Sequence, residues 1–121
     1  MKTRILVIED NEQNIYLMDF LLKKHGFEVI QAMDGETGIA RALEDRPDMI
    51  LLDIQLPEMN GYEVAQALRS HENLKELPII AVTSYAMPGD REKALDSGCT
   101  GYIEKPINPA TFIQDIQNYL P

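Results

Sequence analysis

One cysteine in 121 residues, Cys99, allows no internal disulfide. The fold must therefore be held by its core, and the usage fits a reducing compartment. Basic residues are scarce as well: 11 Lys and Arg against 20 Asp and Glu give a formal net charge of −9. Grip on a nucleic-acid backbone needs clustered Lys and Arg, so this balance argues against that class of partner. No apolar run approaches the ~20 residues of a membrane span, and no signal-peptide pattern precedes the first apolar stretch. A cytoplasmic protein without a membrane partner is expected. Linkers, internal repeats and low-complexity tracts are missing too, which leaves one module over residues 1–121. What is present, 45% hydrophobic and 26% charged residues, is the composition of an ordinary globule near the commonest domain size.

Short apolar runs alternate with stretches of helical periodicity. Strands are expected over Arg4–Glu9, Phe27–Ala32, Met49–Asp53, Ile79–Thr83 and Gly101–Glu104. The second alternates as an edge strand does, whereas the third is continuously apolar and reads as buried on both faces. The first helix, Glu12–His25, carries an apolar stripe of Ile15, Met18 and Leu22, with Asn11 as its cap and Gly26 as its stop. Asp34-Gly35 is a turn signal before a helix over Glu36–Asp45, in which Gly38 costs roughly 1 kcal/mol against Ala. A loop over Leu56–Gly61 leads to a helix ending near Arg69. Pro88 suits the first turn of a fourth helix closing at Gly98, where Cys99 is a small packing residue. Asn108 and Pro109 signal the start of a last helix, Pro109–Leu120, with Phe112, Ile113, Ile116 and Leu120 inward. Alternation of this kind predicts an α/β fold, a flavodoxin-like doubly wound (βα)5 sandwich with a parallel sheet in the order 2-1-3-4-5.

Glu9, Asp10, Asp53, Thr83, Lys105 and Pro106 all sit at or just past a predicted strand end. Right-handed crossovers bring those ends to one edge of the sheet, where such folds bind ligands. Each residue has a plainer role: a solvated acidic pair, a β-forming threonine, a solvated lysine. Together they make three carboxylates, a hydroxyl and one ammonium converging on one pocket. Hard oxygen ligands of this kind suit Mg²⁺, with Mn²⁺ an acceptable substitute. A fixed ammonium opposite them suits an incoming anion such as a phosphoryl group. For Lys105-Pro106, only about 5–6% of X–Pro bonds are cis, so the residues alone do not favour that isomer.

The chain resembles a response-regulator receiver domain of two-component signalling over essentially its whole length. The motifs are Glu9-Asp10, Asp53 within Leu-Leu-Asp-Ile-Gln-Leu-Pro-Glu-Met-Asn-Gly, Thr83 in Val-Thr-Ser, and Tyr102-Ile103-Glu104-Lys105-Pro106. The Thr83–Cys99 segment is similar to single-domain receivers that control cell division, and equally to receivers of hybrid histidine kinases. Met1 just before the first strand favours the free-standing form. The resemblance implies that Asp53 takes a phosphoryl group from a histidine kinase or a histidine phosphotransfer protein. It implies Mg²⁺ held by Asp10, Asp53 and the backbone carbonyl of Gln55, with Glu9 acting through water. Lys105 would pair with a phosphoryl oxygen, its bond to Pro106 would be cis, and Thr83 and Tyr102 would be the switch pair. A downstream protein would read the surface of helix 4, strand 5 and helix 5, with Tyr85, Met87, Tyr102 and Tyr119. Such a protein is not an enzyme beyond its own phosphorylation and dephosphorylation. Ser84 stands where alanine is more usual, and Gln55 and Tyr85 occupy positions that tune dephosphorylation; the bulk of Tyr85 implies slow self-hydrolysis.

Two alternatives fit less well. A metal-dependent phosphatase with an aspartate nucleophile needs a second aspartate two residues on, where this chain has Gln55. A flavin-binding electron carrier needs a phosphate-cradling loop after the first strand, but Glu9-Asp10-Asn11-Glu12 there would repel a phosphate.

Overall fold

In a computed structural model that describes residues 2–84 and 89–120, five parallel strands form one sheet in the order β2-β1-β3-β4-β5. The strands are β1 (Arg4–Ile8), β2 (Glu28–Ala32), β3 (Met49–Asp53), β4 (Ile79–Thr83) and β5 (Gly101–Glu104). The helices between and after them are α1 (Glu12–Lys24), α2 (Gly35–Asp45), α3 (Gly61–Arg69), α4 (Asp90–Asp96) and α5 (Phe112–Tyr119). Tyr85, Met87 and Pro88 lie outside the described residues, so neither the expected first turn of the fourth helix nor two of the surface residues can be placed.

Period-two alternation splits the central strands between two cores. Leu6, Ile8, Ile50, Leu52, Ile79 and Ala81 pack with Ala42, Val64, Leu68 and Ala94, which come from α2, α3 and α4. Ile5, Val7, Met49, Leu51, Ile80 and Val82 pack on the other face with Met18, Leu22, Phe112 and Ile116, from α1 and α5. Both β3 and β4 are buried along their whole length, as apolar strands between two helical layers must be.

Helix ends follow their local chemistry. Asn11 accepts from the Asn14 N–H and caps α1. At the other end Gly26, at φ 87°, donates to Lys23 O while Phe27 donates to Leu22 O, a Schellman closure. That closure claims Phe27 for the helix end, so β2 starts one residue later than expected. Asp34 proves to be the N-cap of α2, accepting from Thr37 N at 2.8 Å, and Gly35 its first residue. Gly38 is there for space: a Cβ would lie 2.4 Å from Ile8 Cδ1. The last helix begins at Phe112 rather than Pro109, because the Asn108 carbonyl accepts from Thr111 and Phe112 while its side chain accepts from Ala110, making a separate turn first. A 3-10 turn over Glu72–Leu74 was not anticipated.

Candidate functional site

Register places the site. Ile8 pairs with Leu52 and Asp53 with Val82, so the residues following β1 lie beside the end of β3. Thr83 pairs with Glu104, which sets Lys105 just beyond the end of β4. The Lys105 N–H donates to Thr83 O at 2.8 Å, and the Lys105–Pro106 peptide is cis. Glu9 lies just past β1 rather than inside it, tied by its N–H to Ala32 O at 3.0 Å. Gly61 lets α3 start close against this edge: a Cβ there would sit 2.6 Å from both the Asp53 carbonyl oxygen and Ile54 Cα. Asn60 and Glu63 then close α3 with a reciprocal capping box.

One carboxylate oxygen from each of Glu9, Asp10 and Asp53 lies within 4.8 Å of the others, the one such group among the described residues. Glu9 and Asp53 are 1% and 3% exposed, Thr83 is fully buried, and Asp10 is open to solvent. Lys105 is the cation opposite them, its Nζ 2.7 Å from Glu9 Oε1 and 3.3 Å from Asp53 Oδ1. Buried Glu9 Oε1 is compensated by its ion pair with Lys105 alone, with no further hydrogen-bond partner among the described residues. Asn11 N–H donates to Glu9 Oε2 at 3.2 Å, and Gln55 N–H to Asp53 Oδ1 at 3.0 Å.

One ammonium cannot neutralise two buried carboxylates and a third at their rim. The Glu9 carboxyl accordingly is pushed up to about 7, first by burial and then by Asp53, which together outweigh the pull of Lys105. The edge is short of positive charge, and either a proton or a metal supplies it. A divalent cation fits: the donors are all hard oxygens, and a single ammonium faces the three carboxylates. Gln55 reaches the site through its backbone N–H, and its side-chain Oε1 accepts from Ser84 Oγ at 2.8 Å.

Tyr102 lies half-buried on β5. Burial pushes its phenol up, with Asp90, Glu104 and Tyr62 adding to the effect. Tyr119 is half-buried, and its ring covers Gly101, where a Cβ would be 2.3 Å away. Two features escaped the sequence. Nothing local marked Ser84 and Gln55 as partners 29 residues apart. Which of the three expected carboxylates Lys105 would approach most closely was likewise hidden, since that is set by register from β1 through β3 and β4 to β5.

Residues 5–117 match the family model for the response regulator receiver domain. The polar-differentiation response regulator DivK of Brucella anthropi is 43% identical over 120 residues, covering 99% of this chain and 98% of that protein. Among solved structures, the chemotaxis protein CheY4 of Vibrio cholerae matches with a TM-score of 0.94 at 30% identity, over 99% of this chain and 100% of its own. The receiver domain of a sensor histidine kinase from Pseudomonas aeruginosa, solved with magnesium coordinated in its active-site cleft, matches with a TM-score of 0.90 at 34% identity, over 98% of both chains.

Proposed function

The chain belongs to the response regulator receiver family and is a phosphoacceptor signalling switch, and we propose that Asp53 is the residue that takes the phosphoryl group. The observation that carries this is the buried Asp53 carboxylate at the end of a fully buried strand, with a charge-deficient oxygen cluster on one side and Lys105 on the other. The donor is a histidine kinase or a histidine phosphotransfer protein. An Asp53 oxygen attacks the phosphorus of phosphohistidine. The new P–O bond forms as the P–N bond breaks, and the imidazole leaves with the electron pair.

Asp10, Asp53 and the Gln55 backbone carbonyl would hold Mg²⁺, with Glu9 acting through water, and the bound ion would neutralise charge on the phosphoryl oxygens. Support comes from the donor set itself and from the magnesium in the cleft of the Pseudomonas receiver. The same oxygen set would accept Mn²⁺, though nothing in the site favours it. Gln55 N–H orients the Asp53 carboxylate, and Lys105 exchanges its carboxylate partners for a phosphoryl oxygen. Thr83 then donates to a second phosphoryl oxygen, and Tyr102 turns inward.

The phosphoryl group's charge of about −1.5 to −2 biases two states of one module covering 1–121. The reading surface in this proposal is α4, β5 and α5, where Leu95 is exposed and Tyr102 and Tyr119 are half-buried. Among the described residues no helix is long and apolar enough to cross a membrane; a cytoplasmic location is part of the proposal. Intact mass after treatment with acetyl phosphate tests it. One phosphoryl group should add to the wild type with Mg²⁺ and none to Asp53→Ala, whereas equal addition to that variant would end the assignment.

A further inference from the structure

Strand β2 ends the sheet among the described residues, and it lacks the usual devices that block edge pairing. It carries no proline, its register with β1 is unbroken, and its one charged residue, Glu28, is its first. Two bonds fix which of its peptide groups face outward: Glu28 N–H donates to Thr3 O, and Ala32 O accepts from Glu9 N–H. Alternate residues of a parallel strand turn N–H and C=O the same way, so Glu28, Ile30 and Ala32 face β1. Val29 and Gln31 therefore present theirs to the open side. Open cavities of about 570 and 410 Å³ lie along this edge, lined by five cationic and four anionic side chains. That strip is near neutral in a chain of net charge −9, so a second copy meets little of the repulsion that the rest of the surface imposes.

We propose that β2 is a self-association surface, on which a second copy of this chain pairs antiparallel about a two-fold axis at Ile30. Val29 then stands opposite the copy's Gln31, and Gln31 opposite its Val29, each pair exchanging two N–H···O=C bonds. Glu28 falls opposite Ala32 rather than opposite itself. The charges on α1 agree with that axis. Gln31 Nε2 donates to Asp19 at 3.2 Å, which puts Asp19 at the Gln31 end of the strand. Lys23, one turn on and 3.2 Å from Asp19, lies towards the Val29 end because α1 runs against β2. The two-fold reverses this order and brings each Asp19 to the level of the other copy's Lys23. On the opposite face Arg41 and Asp45 are already paired, leaving no net charge to repel. Such a contact is isologous and closes at a dimer. The carboxyl-edge site and the α4–β5–α5 face at the far edge of the sheet both stay open, so the dimer presents two of each.

Sedimentation velocity on the full chain tests this at protein concentrations up to about 1 mM, the weak end of specific association. A dimer should grow with concentration. Gln31→Pro removes an outward N–H without touching the ladder to β1, and should weaken the dimer about tenfold or more. Lys23→Asp changes an exposed side chain, sets acid against acid across the axis, and should also weaken it about tenfold. Adding Asp19→Lys to that variant reverses the pair and should restore association. In a glutathione buffer Ile30→Cys should link two copies, because the residues on the axis form a close, non-hydrogen-bonded pair. Val29→Cys should not, since its counterpart lies diagonally across; native Cys99 is buried. A monomer at every concentration, a dimer indifferent to Gln31→Pro and Lys23→Asp, no restoration by the reversed pair, or a disulfide at Val29 rather than Ile30 would each overturn the surface. So would a dimer that forms only with Mg²⁺ and beryllofluoride, which would put the contact on the α4–β5–α5 face.

Discussion

The two edges of the sheet carry the same ion-pair chemistry in opposite settings. At the amino edge, Arg4 approaches Glu28 at 4.0 Å with side chains 36% and 57% exposed, donates its backbone N–H to Asp48, and reaches the Asp45 carbonyl. At the carboxyl edge, Lys105 lies 2.7 Å from Glu9 and 3.3 Å from Asp53, with the carboxylates 1% and 2% exposed at their side chains. Water screens the first set, so its charges are nearly interchangeable. The second set has little water to screen it, so each charge must be matched locally, and three carboxylates against one ammonium are not matched. That deficit is a structural liability at rest and the feature that makes the edge a receptor for a cation and a phosphoryl group.

The largest contrast between the edges should come from removing one member of the ion pair at each. Lys105→Met leaves two buried carboxylates with no ammonium and should destabilise the metal-free protein by about 3 kcal/mol. Glu28→Gln, which breaks the exposed pair, should stay within about 0.5 kcal/mol. Urea denaturation in EDTA measures both, and similar values would dissolve the distinction between the edges.

Next in size is the response to Mg²⁺. Saturation at one hundred times the dissociation constant should add about 2.7 kcal/mol through linkage. Asp10→Asn should leave the metal-free protein equally or more stable, because it relieves repulsion, while removing that response. An unchanged Mg²⁺ titration would contradict the oxygen set.

The pH dependence is smaller and has a definite sign. Glu9 titrates near 4.5 when unfolded and is pushed up to about 7 in the fold, so between these values the folded state holds a proton that the unfolded chain has released. Its contribution to metal-free stability is therefore fully present below pH 4.5 and is lost as pH rises through 7. Glu9→Gln should lack this decline, and denaturation curves of the two proteins across that window isolate it. Equal slopes would mean that Glu9 is not strained by burial.

What the sequence made legible follows from how local its causes are. Strands β3 and β4 were bounded to the residue because runs buried on two faces admit no polar residue until they end. The convergence of Glu9, Asp10, Asp53, Thr83 and Lys105 was legible because parallel crossovers leave one common carboxyl edge. The start of α5 was not, since Asn108 and Pro109 signal equally a helix cap and the free-standing turn that Asn108 closes. Nor was the reason for Gly38, which lies in the Ile8 side chain of another element. The Lys105–Glu9 contact and the Ser84–Gln55 bond depend on register and loop placement, which no local pattern carries.

Whether the charge deficit at the carboxyl edge is truly the input to the α4–β5–α5 face is tested most directly by amide chemical shifts around Tyr102 and Leu95, with and without Mg²⁺ and beryllofluoride. In the wild type these shifts should move only when both are added. Thr83→Ala should still bind the phosphoryl mimic, seen in shifts near Asp53, yet leave Tyr102 and Leu95 close to their resting positions. A full wild-type response on that face in Thr83→Ala would contradict the coupling from site to surface.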